Sequence, residues 1–137
     1  MTKTFYAVFD TNVLVSALMT RRADSPTVAL LDYVVDGRIV LLFNEEILSE
    51  YDEVLHRTKF GFSDDRIQAV IDLVKTGIHL DAAASSEYFP DPDDRVFYEV
   101  ALAKDGSYMV TGNLKHFPTN PIVVTPAKMI QIMTEGQ

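Results

Sequence analysis

The chain has 137 residues, 47% of them hydrophobic and 23% charged, which is typical of one ordinary globular domain, so residues 1–137 are expected to fold as a single domain. It contains no cysteine, which excludes a disulfide scaffold, a thiol nucleophile and Cys-ligated zinc or iron–sulfur sites. Its 20 acidic and 12 basic residues give a net charge of −8, which disfavours a protein that binds nucleic acid mainly by neutralising phosphates.

Short apolar strands alternate with helices along the chain. The predicted elements are, in order, a strand at 5–9, helices at 13–18 and 26–35, a strand at 39–43, helices at 45–58 and 64–75, a strand at 78–80, a helix at 91–104, a strand at 107–110, a turn or short helix at 113–117, a strand at 122–124 and a helix at 126–133. The expected N-caps of the second, third and fourth helices are Ser25, Asn44 and Ser63. Strands of four or five apolar residues separated by helices predict right-handed βαβ units and a parallel sheet. The expected fold class is α/β, a three-layer α/β/α sandwich around a central parallel sheet.

The N-terminal apolar run is too short for a signal peptide and ends at Asp10. No apolar stretch approaches the roughly 20 residues that a membrane span requires. We therefore expect a cytoplasmic protein without a membrane partner.

Polar residues follow the predicted strands, at the end of the sheet where such folds carry their sites. The residues in these positions are Asp10, Thr11 and Asn12 after the first strand, Asn44, Glu45, Glu46 and Glu50 after the second, Asp81, Asp91, Asp93 and Asp94 after the third, and Thr111, Gly112 and Asn113 after the fourth. Clustered carboxylates repel one another, and oxygen ligands suit Mg²⁺ or Mn²⁺. The pattern therefore predicts a divalent cation at this rim.

Several of these acids also have a purely structural interpretation. Asp10 and Asp91 are suitable N-cap residues, and acids in a first turn stabilise a helix. Helical periodicity does not choose between Asp93 and Asp94, because both fall within the broad apolar arc of their helix.

Glu50 lies at the edge of an apolar stripe on its predicted helix, whereas its neighbouring acids Glu46 and Glu53 point further toward solvent. Asp52 borders the other edge about as closely, so the angle alone is only suggestive. Asn113 is compatible with a turn residue or with an amide that holds a metal-bound water.

Four segments together resemble the PIN-domain family, especially the compact bacterial type that forms the toxin component of toxin–antitoxin pairs. They are residues 10–18, 44–55, 91–94 with the helix that follows, and 110–113, and their order and spacing span nearly the whole chain. The resemblance implies a metal-dependent ribonuclease for single-stranded or structured RNA, on a fold related to flap nucleases.

By this resemblance Asp10, Glu50 and Asp94 match the three catalytic acids, which selects Asp94 over Asp93. They would hold one Mg²⁺ or Mn²⁺ ion, or two. Many family members carry another acid where this chain has His116, and this departure weakens the case for a second tightly held metal.

Further residues take supporting roles in the same comparison. Thr11, Asn12 and Thr111 would support the site, and Asn113 would hold the metal through a water molecule. Candidates for contact with the RNA backbone are Arg21, Arg22, Arg57, Lys59, Lys115 and His116, although for most of them an ordinary solvated surface is the better interpretation.

The resemblance also implies an RNA substrate, a cognate antitoxin protein that blocks the acidic groove, and a homodimer. The alternative hypothesis is a non-catalytic PIN-like module that binds RNA or a protein. The three acids argue against it, and His116 argues mildly for it. A haloacid-dehalogenase-type phosphatase fits less well, because Asn12 stands where that chemistry needs a second aspartate. A phospho-acceptor receiver domain also fits poorly, because the sequence lacks an early acidic pair.

Overall fold

The computed structural model describes residues 3–136. Its strands and helices are β1 (Phe5–Phe9), α1 (Thr11–Met19), α2 (Pro26–Val35), β2 (Ile39–Phe43), α3 (Glu45–Leu55), α4 (Asp64–Lys75), β3 (Ile78–His79), α5 (Arg95–Leu102), β4 (Tyr108–Val110), β5 (Val123–Val124) and α6 (Pro126–Glu135). Two single-turn 3-10 helices, Pro92–Asp94 and Leu114–His116, precede α5 and follow β4. In this part of the chain no helix is long and apolar enough to cross a membrane.

All five strands run parallel in one sheet, in the order β3-β2-β1-β4-β5. Ala7 in the central strand pairs with Leu41 of β2 on one side and with Tyr108 of β4 on the other. Helices cover both sides of the sheet. One group contains α3, α4 and α5, with α5 against β1, β2 and β4 and α4 against β2, and the other contains α1, α2 and α6, with α2 against β2. The expected three-layer α/β/α fold is confirmed.

The core is centred on β1 and β2, whose continuous apolar runs fit strands buried on both faces. Ala7, Val8 and Phe9 are fully buried, and Leu41 and Leu42 are almost so. Burying a side chain of Val, Leu or Phe contributes about 1.5–3 kcal/mol. The two central strands therefore form the rigid base from which the polar rim projects.

The sheet order also fixes where a cleft opens. From β1 the chain steps outward to β2 and β3, and it then crosses back to β4 and continues to β5 on the other side. Neighbouring strands β1 and β4 are thus the point at which the connections diverge, and a crevice forms at their carboxyl ends. Asp10 and Thr111 are the first residues beyond those two ends.

Several predicted helix boundaries were wrong, including the end of the first helix, which runs on to Met19. The helix predicted at 45–58 ends at Leu55, because a turn in which Phe60 N–H donates to Arg57 O leads into Gly61, whose φ is +66°. The helix predicted at 13–18 begins at Thr11, since the Val13 N–H already donates to the carbonyl of Asp10. The last helix runs on to Glu135.

The segment predicted as one helix at 91–104 is divided. The Asp91 side chain accepts a hydrogen bond from Asp93 N–H, which caps the tighter 3-10 turn before α5 begins at Arg95. The helix then ends at Leu102.

The last three strands are shorter than predicted, and two expected caps differ. Ser107 lies outside β4 because its hydroxyl donates to the carbonyls of Ala101 and Lys104. Asn44 and Ser63 cap their helices through side-chain hydrogen bonds, whereas the side chains of Asp10 and Ser25 make no capping bond.

Candidate active site

Asp10 lies at the floor of the crevice between β1 and β4. Its backbone N–H donates to Val110 O at 2.9 Å, which continues the pairing of the two strands, and the residue is 6% exposed. The Thr111 hydroxyl donates to Asp10 Oδ2 at 2.8 Å. The two strand ends therefore hold this carboxylate in one orientation.

Burial raises the pKa of Asp10 above its usual value. The Thr111 hydroxyl acts in the opposite direction, because its hydrogen bond stabilises the carboxylate. The site thus holds a carboxylate that is short of compensating positive charge.

Asp94 closes the crevice from the start of α5. Its side chain is 15% exposed, and its Oδ2 atom is buried without a hydrogen-bond partner among residues 3–136. Burial, followed by the charges of Asp10 and Asp91, raises the pKa of Asp94 to about 6. A basic side chain faces it, since Nδ1 of His116 lies 3.4 Å from that oxygen.

Glu50 reaches the crevice from α3 and is half-buried. Burial, then repulsion from Asp93 and Glu53, raises the pKa of its carboxyl. The next residue, Tyr51, is fully buried, and its hydroxyl donates a hydrogen bond to the carbonyl of Phe9. Tyr51 therefore fixes the helix that carries Glu50 against the strand that leads to Asp10.

These side chains meet in one pocket of about 210 Å³. It is lined by Asp10, Thr11, Asn12, Glu50, Val54, Arg57, Asp91, Asp93, Asp94, Phe97 and His116. All three acids selected in the sequence face this space, together with two further aspartates. Asp93 is exposed whereas Asp94 is half-buried, so the structure separates the two residues that helical periodicity did not.

Residues 3–136 contain no group of three His, Asp or Glu side chains close enough to hold a metal ion as they stand. The pocket nevertheless has unsatisfied oxygen atoms, since the buried Thr11 Oγ1 also has no hydrogen-bond partner within the described part of the chain. Buried polar atoms without partners are rare in folded proteins and indicate a missing ligand, ion or water. A hard divalent cation would supply the positive charge that these carboxylate oxygens lack.

Asn113 does not line the pocket. Its backbone N–H donates to Thr111 Oγ1 at 3.0 Å, and its amide nitrogen lies 3.1 Å from His116 Nε2. Since the other ring nitrogen of His116 faces Asp94, Asn113 reaches the acids through His116.

Two of the basic candidates border the pocket, namely Arg57 and His116. Arg57 also pairs with Glu53, whose Oε2 is 3.1 Å from its Nη2. The others, Arg21, Arg22, Lys59 and Lys115, are exposed and lie outside the pocket lining.

Sequence reasoning missed the contact of Tyr51. Helical periodicity places Tyr51 in the apolar stripe that Glu50 borders, where a phenol is counted with the hydrophobic side chains. The available signal was chemical, because a buried tyrosine hydroxyl needs a hydrogen-bond partner. A tyrosine directly after a candidate catalytic acid therefore indicates a tether near that acid.

One family model matches the chain, that of the PIN domain, over residues 6–115. The match includes nearly all of β1, all of β2 to β4, and every residue that lines the pocket except His116, which directly follows the matched range. No curated protein and no solved structure matches the chain.

Proposed function

The chain belongs to the PIN-domain family, whose members are generally nucleases, and from that premise we propose that it is a divalent-metal-dependent endoribonuclease. The observation that carries this proposal is the pocket in which Asp10, Glu50 and Asp94 meet with raised pKa values. Perturbed carboxyls that converge in a cleft are characteristic of catalytic centres.

In this mechanism Asp10, Glu50 and Asp94 would hold Mg²⁺ or Mn²⁺, and Asn113, which lies outside the pocket lining, would contribute through a water molecule. When bound, the cation supplies a water of lowered pKa and stabilises the charge that develops on the phosphate. Thr111 keeps Asp10 oriented, and Tyr51 keeps α3 at a fixed distance from β1.

Because the net charge is −8, the protein as a whole repels RNA, and attraction has to come from basic side chains near the pocket. Without compensation, the carboxylates of the pocket would repel a phosphodiester. Arg57 and His116 are the basic side chains at the pocket rim, and they are positioned to steer the backbone toward it.

An assay of RNA cleavage tests this function. We expect the purified protein to cleave single-stranded RNA with Mn²⁺ or Mg²⁺ and to lose that activity with EDTA. Asp94→Asn should lower the activity at least ~100-fold, as expected when a metal ligand of a catalytic centre is lost. The matched control Asp105→Asn, an exposed aspartate outside the pocket, should retain it. No EDTA-sensitive cleavage of any RNA, together with no metal binding by calorimetry, would refute the proposal.

We further propose that the protein is a cytoplasmic toxin component, with a homodimeric state and a cognate antitoxin that blocks the acidic groove. The compact PIN domain and its acidic pocket support this more specific assignment. Expression in bacteria should inhibit growth, and Asp10→Asn should abolish the inhibition. Co-expression of a neighbouring small gene that restores growth would identify the antitoxin.

A non-catalytic RNA- or protein-binding module is the second candidate. The contact of His116 with Asp94 favours it, because the imidazole faces a carboxylate oxygen that a metal ion would otherwise take. Under this function Asp10→Asn would leave growth inhibition unchanged, and the two candidates are thereby distinguished.

A further inference from the structure

A second and larger cavity lies beside the acidic pocket. Its volume is about 390 Å³, and this open depression is bordered by α1, by the starts of α2 and α6, and by the segment after β4. This volume falls within the range of about 300–1,000 Å³ that small-molecule sites occupy. The acidic pocket, at about 210 Å³, is smaller.

The two cavities are adjacent. Asn12 lines both of them, and Gly112, in the wall of the larger cavity, directly follows the Thr111 that orients Asp10. A polymer whose phosphodiester lies at the acids must place its neighbouring nucleotides on the surface around them. The larger cavity lies on that surface, directly beside the acidic pocket.

The chemistry of the cavity differs from that of the acidic pocket. None of its lining residues, all within the described part of the chain, is charged. Its wall carries three linked hydroxyls, with Thr27 Oγ1 3.1 Å from both Ser16 Oγ and Ser25 Oγ. Two hydrogen bonds use two of the three hydroxyl protons, so one proton and several lone pairs remain for a ligand.

Apolar surface complements these hydroxyls. Val13, Pro26, Pro126 and Ala127 supply aliphatic contacts next to Ser16 and Thr27. A cavity with hydroxyls on one part and aliphatic groups on another suits a neutral group that has both a polar edge and a flat apolar face. The ribose and base of a nucleotide have these properties.

We propose that this cavity binds the nucleoside portion of the nucleotide next to the phosphodiester held at the acidic pocket. The inference rests on the proposed nuclease function, and it adds a substrate subsite to it. The subsite is built by α1, α2 and α6, whereas the catalytic acids come from the end of β1, from α3 and from the start of α5.

Titration of the ¹⁵N-labelled full chain with the dinucleotide adenylyl-adenosine tests the subsite directly. Ca²⁺ replaces Mg²⁺ and Mn²⁺ in this experiment, to compensate the carboxylates of the pocket while cleavage is suppressed. We expect amide shifts at Ser25, Thr27, Gly112 and Ala127. Ala127 is exposed at the cavity, so Ala127→Trp should fold normally and fill the space. It should weaken dinucleotide binding at least ~10-fold, which is about 1.4 kcal/mol. The matched control Ala103→Trp, an exposed alanine after α5, should bind as the wild type does.

Three results would overturn the inference. They are shifts confined to residues outside the cavity, equal binding by Ala127→Trp and Ala103→Trp, or the same shifts with inorganic phosphate alone, which would indicate an anion site. If the dinucleotide shifts these amides but no RNA is cleaved under any metal condition, the nuclease function fails while the nucleotide site stands. If RNA is cleaved but the dinucleotide does not shift these amides, the nuclease function stands while the nucleotide subsite fails.

Discussion

Replacing Asp94 with Asn should stabilise the metal-free protein while it removes one of the proposed metal ligands. Burial and the nearby charges of Asp10 and Asp91 raise the pKa of Asp94 to about 6, so the ionised side chain destabilises the fold at neutral pH. Asparagine has nearly the same shape and no charge. The substitution therefore exchanges function for stability, as is common where active sites concentrate like charges.

The size of the effect follows from the pKa. A change from 3.8 to about 6 corresponds to about 3 kcal/mol at 1.36 kcal/mol per unit. Solvent at the open side of the pocket screens part of this, which leaves about 1–2 kcal/mol. With an unfolding entropy of about 2.1 cal/mol/K per residue, the Tm of Asp94→Asn should rise by about 3–7 °C.

The stability gained by Asp94→Asn should depend on pH. Since the pKa of Asp94 is higher in the folded state than in the unfolded chain, the folded state binds more protons between about pH 4 and pH 6. The contribution of Asp94 to stability therefore falls as the pH rises through this window. Below about pH 4 the carboxyl is protonated in both states, and the advantage of the Asp94→Asn variant over the wild type should disappear.

Thermal unfolding in EDTA at about pH 4 and about pH 7.5, on either side of that window, measures both effects, with the exposed Asp105→Asn as control. The reasoning is refuted if Asp94→Asn at the higher pH is no more stable than that control, or if its gain is the same at both pH values. Repeating the scan with Mn²⁺ should raise the Tm of the wild type and leave that of Asp94→Asn unchanged.

Three further substitutions test the framework of the site. Tyr51→Phe removes a buried hydrogen bond to the end of β1 and should lower the free energy of unfolding in urea by about 1–2 kcal/mol. Thr111→Val leaves Asp10 without its hydroxyl donor and should weaken Mn²⁺ binding by calorimetry about 10-fold or more, whereas Thr111→Ser should bind normally. Gly77→Ala places a Cβ 1.9 Å from the Leu41 carbonyl oxygen, and it should destabilise the fold by more than about 2 kcal/mol in the same urea titration.

Each of these three predictions would be contradicted by a specific result. An unchanged urea midpoint for Tyr51→Phe would mean that the tether contributes nothing, and equal Mn²⁺ affinity of the Val and Ser variants at Thr111 would show that its hydroxyl does not orient Asp10 for the metal. Wild-type stability of Gly77→Ala would show that the backbone around Leu41 moves aside without cost.

The sequence by itself determined the layers of the fold and the rim on which the acids lie. Apolar runs such as 5–9 and 39–43 can only be buried on both faces, and a parallel sheet then requires helices on both sides. The same local chemistry located Asp10 and Asn113 just after strands. Exact helix ends were harder to predict from the sequence. The turn at Gly61 and the 3-10 helix Pro92–Asp94 depend on side-chain and backbone hydrogen bonds, which hydrophobic periodicity does not reveal.

Only the tertiary structure decided which side chains meet. Asp10 and Asp94 are far apart in the chain, and their mutual repulsion exists because the strand order brings β1 beside β4 and α5 across them. Periodicity treats Asp93 and Asp94 alike, whereas the fold exposes one and half-buries the other. Burial and proximity are properties of packing between distant segments, and for that reason the pKa values, the identity of the hydrogen-bond partner of Tyr51 and the neighbouring cavity could be read only from the folded chain.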